Sequence, residues 1–156
     1  MTDLRQVFDD LVRFETILWG AVDGRLQDEC GVGLASLNGM LVIDATPLCR
    51  VHDIARAVAI TVGGASQAVD RLESAGLCIR RANPSDRRSS IVELTPKGKE
   101  LLSIAAPVFD RELDRLVRAP LPGTALTDLA GALRVLRQSA ATRAVKPAAG
   151  GASNRS

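Results

Sequence analysis

At 156 residues the chain has the length of one domain with a real core, and its 46% hydrophobic and 24% charged residues are those of an ordinary globular protein. Aromatic residues make up only 3%, with one Trp and no Tyr, which argues against a single-strand binding surface built on stacked rings. The net charge of +2 conceals a division: residues 1–49 carry three Arg against eight acids, residues 50–99 nine Lys and Arg against five, and residues 100–156 eight against five.

The positive field therefore gathers on the middle and last thirds, as a phosphate-binding protein requires. Three cysteines, Cys30, Cys49 and Cys78, are odd in number and include no CxxC pair. That is not a disulfide framework, and it fits a reducing cytoplasm. The start, MTDLRQVFDD, lacks the apolar region of a signal peptide. No apolar run approaches the ~18 residues of a membrane span.

Residues 4–29 place Leu4, Val7, Phe8, Leu11, Leu18, Val22 and Leu26 at helical spacing. Thr2 or Asp3 caps the start, and Gly31 and Gly33 stop the helix. Its polar side is acidic (Asp9, Asp10, Asp23, Asp28, Glu29) and would face away from any phosphate-bearing partner. A helix this long with so wide an apolar stripe needs a partner beyond its own core. Residues 34–44 read as a shorter, more buried helix that ends before Pro47. Residues 48–50 read as a brief extended piece. Val51 to Val58, with Val51, Ile54, Ala55 and Val58 on one face, forms the next helix, and Ala59-Ile60 turns the chain.

Thr61 is the N-cap of a helix running to about Ala75, with Ala65, Ala68, Val69 and Leu72 inward and Gly76 at the position after its end. Gly63, Gly64, Ser66, Gln67, Asp70 and Arg71 occupy the other face. Residues 77–82 and 89–94 are two strands joined by the turn NPSDRR. Thr95 then caps a helix with Pro96 at its first position. Two helices follow, 97–118 and 124–142, parted by APLPG. Pro107 should kink or break the first. Leu126, Leu129, Leu133 and Leu136 give the second a narrow association seam.

Helix, turn, helix and arginine-tipped hairpin in this order describe a winged helix-turn-helix. The expected fold is mainly α with a small β-hairpin wing. Residues 34–96 form the DNA-binding domain, 1–33 and 97–142 contribute dimerisation helices, and the Ala/Gly-rich stretch 143–156 is a disordered tail. A major groove admits one α-helix, read out by polar side chains near its N-terminus. Ser66 and Gln67 sit there, with Thr61 and the bare backbone at Gly63 and Gly64 suited to a phosphate. Glycines in a first helical turn are costly, and close approach of the backbone to another surface is one reason to keep them. Arg71 is a backbone contact or an ion-pair partner. At the hairpin tip Asp86 holds one arginine in place, and Arg87 and Arg88 reach for a minor groove. Arg80 and Arg81 add phosphate contacts or solubility.

The run Asp86-Arg87-Arg88-Ser89-Ser90-Ile91-Val92-Glu93-Leu94-Thr95-Pro96-Lys97-Gly98 resembles the wing signature of the MarR family, D-x-R, a strand, then L-T-x-x-G. Val69-Asp70-Arg71-Leu72-Glu73 with Gly76-Leu77 is similar to the end of that family's recognition helix, and Val51-His52-Asp53-Ile54-Ala55 to the helix before it. The resemblance implies a homodimeric transcriptional regulator, a repressor by the family's habit, whose recognition helices enter successive major grooves of a pseudopalindromic operator. It also implies release by a small phenolic or lipophilic effector or by cysteine oxidation. The Gly63-Gly64 start departs from the family's Ser/Thr/Lys-rich pattern.

The resemblance also implies an effector pocket between the dimer-forming helices and the DNA-binding lobe, with Trp19 of the first helix and Met40 or Asp44 of the second as its candidate lining. Cys30 is the thiol placed to respond to oxidation, whereas Cys49 and Cys78 read as core. Cys49-x-x-His52 lacks the second ligand pair of a metal site, and no cofactor is expected. One His and the absence of GxSxG, P-loop and HExxH patterns argue against an enzyme. A winged helix serving only protein–protein contacts would have an arginine-free wing or an acidic recognition helix. This chain has neither.

Overall fold

The computed structural model describes residues 1–145, with side chains through residue 142, and the elements follow the expected order. They are α1 (Leu4–Cys30), α2 (Leu34–Ala45), α3 (Val51–Ala57), α4 (Val62–Ser74), β1 (Cys78–Ala82), β2 (Ser90–Leu94), α5 (Pro96–Leu113), a π-helical turn (Asp114–Arg118) and α6 (Gly123–Val145). The mainly helical winged helix-turn-helix is the fold observed. The chain divides into two compact units, Met1–Leu113 and a second that begins at Asp114.

In the first unit α2 is the centre. Its sequence, LASLNGMLVIDA, is apolar almost all round, the pattern of a helix buried on every side. It touches α1, α3, α4, α5 and β2, and Leu34, Leu37, Met40 and Ile43 are buried. Val22 and Leu26 of α1 and Leu102, Ala105 and Val108 of α5 close one side. Ile54, Ala65, Val69 and Leu72 of the helix-turn-helix close another. Asp23 of α1 ties the pieces together by accepting a 2.7 Å hydrogen bond from the Leu34 amide at the start of α2.

Local rules explain the ends of the helices. Asp3 accepts from the Arg5 amide as the N-cap of α1, and Gly31 ends that helix in the left-handed region at φ 65°. Only the second half of α1 reaches the core. Leu4, Val7, Phe8, Leu11, Val12, Phe14 and Ile17 are exposed, so most of its apolar stripe is bare in this unit.

β1 and β2 pair antiparallel, with Cys78 opposite Leu94 and Ala82 opposite Ser90. The extended piece at 48–50 joins them only as a single bridge, Arg50 to Ile91, with the Val92 amide donating to the Cys49 carbonyl at 2.7 Å. Of the two outcomes expected at Pro107, a kink or a break, the break does not occur: α5 runs through it. Pro107 and Ser103, whose carbonyl loses its usual donor, are both exposed, where solvent can reach.

In the second unit the departure from α geometry is the π-helical turn Asp114–Arg118. α6 then runs to Val145, past the expected start of the tail at 143, and the remainder of that tail lies outside the described residues. Leu129, Leu133, Val135 and Leu136 of α6 are exposed.

Candidate nucleic-acid interface

The helix-turn-helix is built by α3 and α4. At the head of α3, the Arg50 amide donates to the Asp53 carboxylate at 2.9 Å, and the Asp53 amide donates to the Arg50 carbonyl at 2.9 Å. The turn passes through Ala59, a non-glycine residue in the left-handed region at φ 55°, which costs strain. Ile54 and Ala55 are buried beside it, and the Ile60 amide donates back to the Ala55 carbonyl at 3.0 Å. Thr61 then caps α4 as expected, its Oγ1 accepting from the Gly64 amide at 3.0 Å. Ala65, Val69 and Leu72 fill the inward face. Gly63, Gln67 and Arg71 are exposed on the outward face, and Ser66 is half-buried at its edge. Gly76, at φ 72°, ends the helix, and the Leu77 amide donates to the Leu72 carbonyl at 2.9 Å.

The hairpin tip is held by its own short polar side chains. Asn83 accepts from the Ser85 amide at 3.0 Å and donates to Ser89 Oγ at 3.0 Å. Asp86 accepts from the Arg88 amide at 2.9 Å, and the Ser89 amide donates to the Asp86 carbonyl at 3.1 Å. Asp86 was expected to steady an arginine side chain; it fixes the backbone instead. Arg87 and Arg88 are exposed, and among the described residues neither guanidinium has a carboxylate partner. A rigid turn thus presents two cations with unspent charge.

At the hairpin's base the arginines behave differently, which corrects the expectation for Arg80 and Arg81. Arg80 Nη2 lies 2.7 Å from Asp70 Oδ1, and Nη1 2.7 Å from Glu73 Oε2. Nη2 also donates to the Ser66 carbonyl at 3.3 Å, and the Arg80 amide donates to Glu73 Oε1 at 3.1 Å. Burial works against the guanidinium charge, but hydrogen bonds and charge from Asp70 and Glu73 outweigh it and hold its pKa above the usual value. Arg81 pairs with Glu93 at 2.6 Å. Arg80 therefore braces α4 against β1. Strand parity carried the signal: Arg80 shares the face of buried Cys78, while Asp70 and Glu73, three apart on α4, converge on it.

A second brace was legible only as a pattern. Thr95 Oγ1 donates to the Gly76 carbonyl at 2.6 Å and accepts from the Gly98 amide at 3.0 Å. Lys97 Nζ donates to the Ala75 carbonyl at 2.8 Å. A Cβ on Gly98 would run into the Leu77 carbonyl oxygen, so only glycine lets α5 start against the end of α4.

The candidate effector-lining residues Trp19 and Asp44 border different clefts. Trp19 borders an apolar cleft of about 170 Å³ with Glu15, Leu18, Val22, Leu34, Asn38, Phe109 and Leu113. Asp44 borders a different, polar cleft with Thr46, Glu93 and Lys99. Met40 is fully buried and lines neither, because successive turns of α2 face different neighbours. Cys30 is half-buried beside a cleft with Leu77, Lys97 and Ile104. Burial, with the charge of Asp53, pushes the Cys49 thiol up to about 11. Burial, with the charge of Glu73, does the same for Cys78, also to about 11. Among the described residues no group of His, Cys, Asp and Glu could hold a metal ion, and no helix is long and apolar enough to cross a membrane.

Residues 35–90 match the model of the MarR family. The chain is 32% identical over 92 residues to the HTH-type transcriptional regulator BilQ of Clostridium symbiosum, covering 59% of this chain and 63% of that protein. It is 34% identical over 71 residues to the HTH-type transcriptional regulator MhqR of Bacillus subtilis, covering 46% and 47%. The chain thus spans about half to just under two thirds of these relatives' lengths. The structure of a MarR family transcriptional regulator from Streptomyces coelicolor, solved in complex with DNA, superposes with a TM-score of 0.83 at 25% identity, covering 98% of this chain and 95% of that one.

Proposed function

Since the chain belongs to the MarR family of transcriptional regulators, we propose that it binds a pseudopalindromic double-stranded DNA operator as a homodimer in the cytoplasm and represses transcription until a small apolar molecule releases it. The observation that carries the reading is the wing tip. Arg87 and Arg88 are unpaired by carboxylates among the described residues, on a turn that Asn83 and Asp86 hold rigid. Such a tip suits a narrow minor groove, where negative potential is concentrated. The outward face of α4 then enters the adjacent major groove, with Gln67 and Ser66 at base edges and Arg71 and the Thr61 end at phosphates.

Two bare apolar faces support the homodimer. Phe8 and Ile17 of α1 are 68% and 66% exposed, within an apolar stripe that a soluble monomer rarely leaves open. Leu129, Leu133 and Leu136 form a comparable seam on α6. A second copy covering these faces would set two recognition helices one DNA turn apart. For the effector, the cleft beside Trp19 is the size of a cavity that accepts a single aromatic ring. Its lining favours an apolar molecule, and as Trp19 is the only tryptophan, its fluorescence would report binding. Cys30 is the candidate for a redox route to the same release.

Selection of duplexes from a random pool, followed by polarisation titrations over a range of salt, tests the operator reading. The expected result is an enriched sequence with two half-sites, bound at least ~10³-fold more tightly than mixed DNA, with a steep negative salt slope. A pool that converges on nothing rejects operator binding. A monomer by light scattering at the titration concentration rejects the dimer.

A further inference from the structure

Gly63 and Gly64 stand side by side in the first turn of α4, where glycine is the poorest helix former after proline. The structure gives them different reasons to be there. A Cβ on Gly64 would lie 3.1 Å from Thr61 Oγ1 and 3.8 Å from Ile60 Cδ1, against the hydroxyl that caps its own amide at 3.0 Å. Gly64 is thus explained inside the chain by the tightness of the cap. A Cβ on Gly63 would meet nothing within 4 Å. Gly63 does not lie in the left-handed region either, since Gly31 and Gly76 are the glycines that do so. Neither crowding nor backbone conformation in the folded chain calls for glycine at 63.

Position 63 lies one turn before Gln67 on the face opposite buried Ala65, Val69 and Leu72, and both outward residues are exposed. We propose that Gly63 is a specificity-determining position: the missing side chain lets the first turn of α4 seat deep in the major groove, and so sets which base edges Gln67 reaches. This rests on the operator reading above. A methyl at 63 would lift the start of the helix away from the bases by about the thickness of a carbon atom, enough to lengthen a hydrogen bond beyond its range. The inference is separable from any role in folding, because the two effects have opposite signs. Alanine at 63 improves the helix while it obstructs the groove.

The test uses the full chain, a duplex enriched by the wild-type protein from a random pool, and a mixed-sequence duplex as control. Gly63→Ala should raise the thermal midpoint of the DNA-free protein by about 2 °C. It should weaken binding to the enriched duplex about tenfold or more, the loss of one base contact, and weaken binding to mixed DNA by clearly less. Gly64→Ala, whose methyl meets the Thr61 hydroxyl, should not raise the midpoint. Repeating the selection with Gly63→Ala should enrich a different sequence. Unchanged affinity of Gly63→Ala for the enriched duplex, or an equal loss on both duplexes, overturns the proposal and leaves operator binding standing. If the wild-type protein itself enriches no sequence, the operator reading fails, and this inference falls with it.

Discussion

The two ends of the hairpin use the same residue in opposite ways. At the base, Arg80 is held by Asp70, Glu73 and a carbonyl of α4, and Arg81 by Glu93. At the tip, Asn83 and Asp86 satisfy backbone amides, so no carboxylate is spent on Arg87 or Arg88 among the described residues. The difference shows that a basic segment is not uniformly a nucleic-acid surface. Paired arginines give the module its shape, and unpaired ones leave charge for a phosphate or a groove. The base is architecture, and the tip is left with charge to offer.

The sharpest way to break this division is to overfill the base. Gly98→Ala forces a methyl into the Leu77 carbonyl and should cost about 3 kcal/mol of stability, read as a lowered midpoint in urea denaturation. A midpoint within error of wild type would mean the seat is not close-packed. Removing the tip should do the reverse. Arg88→Ala is expected to weaken operator binding by ~1–3 kcal/mol and to lower the salt slope by ~1 for a lost phosphate contact. Stability should stay within ~0.5 kcal/mol. An unchanged dissociation constant would take Arg88 out of the interface.

A smaller effect separates Arg80 from the tip. Arg80→Gln breaks two ion pairs at a partly exposed site and should cost only about 1 kcal/mol of stability. The salt slope of DNA binding should not change, because its charge is already consumed by Asp70 and Glu73. A slope reduced as in Arg88→Ala would make Arg80 a phosphate contact after all. The smallest effect concerns the thiols. With Cys49 and Cys78 raised to about 11 from 9.0, native protein at pH 8 should take up iodoacetamide at Cys30 first. The sign for stability follows from linkage: the unfolded thiols ionise near 9 and the folded ones near 11. Stability held below pH 9 is therefore lost as pH rises toward 11. Three adducts appearing together by mass spectrometry at pH 8 would contradict the burial of Cys49 and Cys78.

Most of the fold was legible because its signals are local. The three-four spacing of Val22 and Leu26, the cap at Thr61, the stop at Gly76 and the Asn83-Pro84 turn each act within a few residues, and each appears where the pattern placed it. The outward residues of α4 and the tip arginines were legible for the same reason, since helix periodicity and turn position alone expose them. The cleft linings were legible only in part. Which way Trp19, Met40 and Asp44 face depends on what packs against α1 and α2.

Sequence alone determined the succession of elements, their caps and stops, and where positive charge accumulates, because these are set by backbone preferences and by composition. Tertiary structure decided which of those charges remain available. Arg80 finds Asp70 ten residues away, and Gly98 meets Leu77 across a strand pair. Such meetings depend on how separate elements come together in space, and no local rule specifies them.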